Sequence, residues 1–145
     1  MATPNNDPIY SKQGDQSNNG TTGMNQLVTA AANDYTGVSA NNSLVFTAGA
    51  NGAFVRSIRL KAGGTNTASV MRFYINNGSI NTSATNNTFF GEIALPATTA
   101  TIIGITSSEF EYPFGIAIPA GFRIYMGLGT AVAAGWVATP IAGQY

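Results

Sequence analysis

The chain contains no cysteine and no histidine in 145 residues, and charged side chains make up only 8% of it. Without cysteine there is no disulfide and no thiolate nucleophile. Without histidine the commonest zinc ligand and the commonest general base are missing as well. A Ser-His-Asp triad is therefore excluded, and a Ser-Lys pair would have to use Lys12 or Lys61, neither of which sits in a supporting motif. Typical soluble domains carry roughly 25% charge, whereas here six acidic and six basic side chains cancel. Solubility then rests on the plentiful Asn, Thr, Ser and Gln rather than on net charge.

Other absences narrow the function classes further. Phosphate neutralisation supplies most non-specific nucleic-acid affinity and leaves a basic stripe in the sequence. Arg56, Arg59, Lys61, Arg72 and Arg123 are instead scattered among apolar residues, so no nucleic-acid partner is expected. No run reaches about eighteen apolar residues, and the opening "MATPNNDPIYSKQGDQSNNG" has neither a basic n-region nor an apolar h-region. A soluble protein made in the cytosol is expected, with no membrane partner. Sequons such as Asn77-Gly78-Ser79 and Asn86-Asn87-Thr88 then follow from Asn and Thr abundance. Asp7, Asp15 and Asp34 stand isolated, without the acidic ladder of a calcium loop, and neither a metal nor another cofactor is expected.

What is present divides in two. Residues 1–24 are rich in Asn, Gly, Gln, Ser, Thr and Pro, with Ile9, Tyr10 and Met24 as the only sizeable apolar groups. Such a segment buries too little surface to offset its ordering entropy and is expected to be a flexible N-terminal arm. An inert tail and a strap that orders in an assembly are both open for it. From Asn25 the pattern changes to short apolar runs separated by turn residues, which predicts one all-β domain over 25–145, an antiparallel β-sandwich of eight or nine strands in jelly-roll or related order.

Side chains alternate along a strand, so each run assigns its own faces. "FVRSIRLK" (54–61) turns Phe54, Ile58 and Leu60 to one side and Val55, Ser57, Arg59 and Lys61 to the other. Arg56 breaks that pattern, and a bulge or a strand edge explains it better than a subunit contact. "VMRFYIN" (70–76) places Met71, Phe73 and Ile75 inward and Arg72 and Tyr74 outward. Gly63-Gly64 between these runs is a hairpin signal; a phosphate-cradling loop would need a following helix, and none is suggested.

Further strands are expected at "TFFGEIAL" (88–95) and "TATIIGIT" (99–106). In "EFEYPFGIAI" (109–118) Phe110, Tyr112, Phe114, Ile116 and Ile118 share a face, and Pro113, which lacks an amide donor, marks an edge or an unpaired position. "FRIYMGL" (122–128) turns Phe122, Ile124, Met126 and Leu128 inward, with Arg123 and Tyr125 outward. "GTAVAAGWVAT" is expected to complete a hairpin with Trp136 as its anchor. For "MNQLVTAAAND" (24–34) a strand is preferred to a short helix.

The best catalytic candidate is Glu109 with Glu111, two carboxylates on one strand face near the separation of about 5 Å that retaining glycosidases use. Neighbours on one strand do not clasp a substrate from two sides, so two solvated glutamates explain them better, and no enzyme activity is expected. Outward aromatics Tyr74, Phe90 and Tyr125 offer rings on which sugars could stack, which keeps a sugar-binding module as a rival reading, although sheet packing is their ordinary role.

In "NGAFVRSIRLKAGGTNTASVMRFYINNG", "EIALPATTAT" and "IPAGFRIYMGLGTAVAAGWVATPIAGQY" the chain resembles a group of small virion-associated proteins of tailed bacteriophages and prophages. The resemblance covers roughly residues 50–145 and lies chiefly in "LGTAVAAGW" and the final "GQY". It implies a virion structural protein made in the host cytoplasm: a head decoration or cement protein on the capsid surface that binds the major capsid protein lattice. The alternative is a tail or head-fibre component, including one that binds host glycans. No catalytic residues carry over. Adhesion of this kind implies a homo-oligomer, with a trimer favoured, and the candidate interface residues are Ile9, Tyr10, Tyr74, Tyr125, Trp136 and Tyr145.

Overall fold

The computed structural model describes residues 26–100, 104 and 106–145. Ile9, Tyr10 and the arm expected over 1–24 lie outside them. Among the described residues eight strands form: β1 (Gln26–Val28), β2 (Ser43–Thr47), β3 (Ala53–Ala62), β4 (Ser69–Asn76), β5 (Asn87–Leu95), β6 (Glu109–Ile118), β7 (Arg123–Leu128) and β8 (Trp136–Gln144). They build two four-stranded antiparallel sheets, the first in the order β1-β8-β3-β6 and the second in the order β2-β7-β4-β5. First pairs with last, second with seventh, third with sixth and fourth with fifth. A long antiparallel ribbon rolled into two layers has this nested pairing, and the fold is an eight-stranded jelly-roll sandwich.

The core lies between the two inner faces. Ile124, Met126 and Leu128 of β7, Met71 and Phe73 of β4, and Phe114 and Ile118 of β6 are buried there, as the alternation of each run requires. At the side where β5 and β6 are the edge strands, aromatic rings close the sandwich. Phe73 stacks on Tyr112 at 4.3 Å, and Phe90 stacks on Phe114 at 4.6 Å between ring centroids. Gly91 belongs to this contact, because a Cβ there would collide with the Tyr112 hydroxyl. Near β1 and β8, Trp136 is fully buried with Phe110 at 5.7 Å.

Both proline and arginine irregularities find a cause. Among the described residues β6 pairs only with β3, so Pro113 does sit on an edge strand, where a missing amide is tolerated. Arg56 is an extra residue: the pairing of β3 with β8 shifts register between Val55 and Ser57. That bulge corrects the faces expected for β3. Val55 is buried and Phe54 only half-buried, while Ile58 and Leu60 point inward as expected, since one inserted residue moves everything before it to the opposite face.

Two expected hairpins are corrected. β3 and β4 lie in different sheets, as do β7 and β8, and only β4 and β5 are both consecutive and paired. Gly63 serves close approach instead of a tight turn. Its amide donates to Gly135 O at 2.9 Å, and a Cβ on it would lie 2.5 Å from Ala134 O. The strand expected over 99–106 falls largely outside the described residues; Thr99, Ala100 and Thr106 are not in a strand.

Side chains tie the loops at each end. At one end, Asn66 Oδ1 accepts from the amides of Ala134 and Gly135, each at 2.9 Å, and its Nδ2 donates to Gly135 O at 2.9 Å. Asn66 also exchanges backbone bonds with Thr98, so the β3–β4, β5–β6 and β7–β8 connections meet at one buried amide. At the other end, Gln144 Oε1 accepts from Gly49 N, its Nε2 donates to Thr47 O, and the Tyr145 amide donates to Gly52 O. The last residues are thereby fixed to the β2–β3 turn.

Candidate interaction surfaces

On the outer face of the first sheet, four charged side chains face one another across β3 and β6. Arg59 and Lys61 on β3 stand opposite Glu111 and Glu109 on β6. Glu109 Oε2 receives both Arg59, at 2.7 Å, and Lys61, at 3.3 Å. The hydrogen bond from Arg59, helped by that from Lys61, holds the Glu109 carboxyl below the usual carboxylate range. A general acid at neutral pH needs the opposite shift, so Glu109 fits a solvated ion pair. Toward the other end of the same face the character turns small and apolar: Phe54 lies between Ala117 and Gly143, and Pro113 and Ile141 flank the buried Ser57.

The outer face of the second sheet carries a row across all four strands, Leu44–Tyr125–Tyr74–Phe89. The β1–β2 connection is laid over it. Ala32 donates its amide to Leu128 O at 2.7 Å, and Gly127 lets Ala32 and Asn42 pass close to β7, where any Cβ would strike both. Asp34 organises this connection. Its carboxylate accepts from the amides of Thr36, Gly37, Val38 and Ser39, and Tyr74 Oη donates to Asp34 O at 2.5 Å. Gly37, at φ 74°, turns the chain where a Cβ would lie 3.0 Å from the Tyr74 ring.

The sequence-derived candidates separate accordingly. Tyr74 points outward as the alternation required, yet it is fully buried under the connection and presents no surface to a partner. Trp136 is likewise enclosed in its own sandwich, which corrects its placement as a contact residue. Phe90 faces inward on Phe114, so it is no outward ring. Tyr125 and Tyr145 are half-buried and remain accessible. The structure brings Tyr125 and Tyr74 side by side, and it places Tyr145 at the end of the sandwich where β2 meets β3.

Two exposed aromatics were missed. Tyr35 is 58% exposed and Phe89 39% exposed, and their rings meet edge to face at 5.2 Å. The doublet Phe89-Phe90 held a signal, because adjacent strand residues face opposite ways. Tyr35 lies in a connection to which no periodicity assigns a face.

Burial, followed by the nearby Asp34 charge, pushes the Tyr74 phenol up to about 12 from 10.0. A folded-state value above the unfolded one means the native protein holds this proton longer. Stability from Tyr74 is thus complete below pH 10 and is lost as pH rises toward 12. In thermal melts across that range, Tyr74→Phe should fall less steeply with pH than the parent; parallel slopes would show that Tyr74 is not the group responsible.

Among the described residues no three His, Cys, Asp or Glu side chains group as a metal site, and no helix is long and apolar enough to cross a membrane. Comparison with protein-family models, curated proteins and solved structures gave no match for this chain. The class of protein is thus defined by its own geometry, an antiparallel jelly-roll sandwich with two differently furnished outer faces.

Proposed function

We propose that the protein is a structural component of a bacteriophage particle, a head decoration protein that binds the major capsid protein lattice and stabilises the shell. The observation that carries this reading is the outer face of the first sheet. It is a four-strand surface on which Glu109 is satisfied by Arg59 and Lys61, beside an area of small and apolar groups around Phe54, Ala117 and Pro113. The apolar area suits the centre of a protein contact, where charge is depleted, and the ion pairs beside it suit the polar rim. Jelly rolls also occur in lectin domains, so the fold alone does not select the function.

In this reading copies associate as trimers, residues 1–24 reach along neighbouring capsid subunits, and binding to the assembled lattice stabilises it by mass action. Many modest contacts on one particle add by avidity. The test is cosedimentation of the full chain with capsids lacking it, followed by imaging of the particles. Stoichiometric, symmetry-ordered density is expected, and removal of residues 2–24 should weaken attachment while leaving the thermal melt of the sandwich unchanged. Absence of binding would overturn the decoration role and move a tail or head-fibre role to first place. Undiminished binding by the truncated chain would remove the arm from the mechanism.

A further inference from the structure

Exposed aromatic rings are costly to leave in water, and two of them meet where the β1–β2 connection lies over the second sheet. Tyr35 and Phe89 are two of only four large hydrophobic side chains exposed among the described residues, and the only two in contact with each other through their rings. Tyr35 is held from three sides. The carboxylate of Asp34 accepts the amides that follow it, Asn87 Nδ2 donates to Thr36 O at 3.1 Å, and the Arg72 guanidinium lies 4.4 Å from its ring centroid. Phe89 is registered opposite Tyr74 on β4. The contacts of each ring with its neighbours restrict its rotamers, which lowers the entropic cost of binding.

Polar groups of both kinds stand beside the rings. Arg72 Nε donates to Glu92 Oε2 at 3.3 Å, and Arg72 also reaches the Tyr35 hydroxyl at 3.4 Å. The Glu92 side chain is 42% exposed, which leaves acceptor capacity open to solvent. We infer that this corner of the second sheet, formed by Tyr35, Phe89, Arg72 and Glu92, is a binding site for a neutral pyranose sugar. A pyranose has an apolar face of C–H groups and a rim of hydroxyls. The rings receive the first, and the exposed Glu92 carboxylate, held by Arg72, receives the second.

Size and charge decide against the other ligand classes. A specific protein contact covers about 800 Å² per partner around an apolar centre, whereas this patch is two rings bordered by an ion pair. A nucleic acid would also stack on the rings, but its phosphates need free cations. Arg72 is neutralised by Glu92, and Arg123, the other arginine on this face, donates to Ser79 O at 3.3 Å. An anionic sugar meets the same objection. The site is independent of capsid attachment, so either can fail while the other stands.

The experiment is two-dimensional amide NMR of the isotope-labelled full chain, titrated in turn with the methyl glycosides of glucose, galactose, mannose and N-acetylglucosamine. For at least one sugar, saturable shifts confined to the amides of Tyr35, Thr36, Phe89 and Glu92 and their neighbours are expected, with Kd about 1 mM for so small a ligand. Tyr35→Ala should weaken that binding at least about tenfold, while Tyr35→Phe, which keeps the ring, retains most of it. The amide spectrum of β3 and β8 reports that each variant is folded, and Phe89→Ala provides a second ring deletion. Absence of saturable shifts with all four sugars would overturn the site. So would equal affinity in folded Tyr35→Ala and the parent.

Discussion

Replacing Trp136 with alanine is expected to destabilise the protein by about 3–5 kcal/mol, the usual loss for a large aromatic deleted from a packed core. Trp136 is fully enclosed, stands opposite Val28 on β1 and Ala62 on β3, and contacts the Phe110 ring. It therefore joins three strands of the first sheet, and its removal leaves a cavity that none of them can fill alone. Total stability of a domain is about 5–15 kcal/mol, so the variant should lie near its unfolding midpoint at modest urea. Trp136→Phe makes the argument sharper. The indole Nε1 has no hydrogen-bond partner among the described residues, and phenylalanine removes that buried donor together with some volume, so its loss should be well below that of alanine. Urea unfolding of the three proteins checks both statements. A loss under about 1 kcal/mol for Trp136→Ala would mean that the side chain is not packed in its own core, since surface changes fall in that range.

The second large effect is expected at Asn66. Asn66→Ala deletes three hydrogen bonds of 2.9 Å at a residue only 3% exposed, and it strands the amides of Ala134 and Gly135. A neutral bond contributes about 1 kcal/mol net, and a buried group left unmet costs about 1–3 kcal/mol, so a loss of roughly 3 kcal/mol is expected. Because Asn66 ties three connections, the loss should spread. Hydrogen exchange should quicken at Gly135 and Thr98 as well as at Asn66. Asn66→Asp retains the oxygen that receives both amides, but it sets an acceptor-only oxygen against Gly135 O and buries a charge, so it too should be less stable than the parent at neutral pH. An alanine variant as stable as the parent would show that the loops are held by other contacts.

Much of the sandwich was legible because alternation is a local property. The inward sets of β4, β6 and β7 and the edge position of Pro113 follow from side-chain direction and from a missing amide, both read within one segment. β3 was legible except at Arg56: the sequence flagged the break there, but which side of it kept the expected phase depends on pairing with β8. The hairpins failed for a related reason. Gly63-Gly64 has the composition of a tight turn, yet the glycines serve contact with the β7–β8 connection, a partner some seventy residues away.

The candidate surface was less legible than the core. Facing outward and being exposed are different properties, and Tyr74 separates them. Its face follows from period two, but its burial follows from a connection laid over the sheet. Asp34, read as isolated, holds that connection through four amides, and "DYTG" carried a trace of this, since Asp before Thr and Gly favours a local side-chain turn. No comparable trace pointed to Tyr35.

By itself the sequence determined that this is a cysteine-free and histidine-free all-β chain, with its strand faces, its edge proline and the residues able to fill a core. These follow from composition and from the fixed geometry of a strand. The tertiary structure alone decided that strands adjacent in sequence, β4 and β5 apart, belong to different sheets, that Tyr74 and Trp136 are enclosed, and that Tyr35 and Phe89 share an exposed corner. Each depends on contacts between segments far apart in the chain, and the energy of such contacts is set by which surfaces meet, a quantity no local pattern contains.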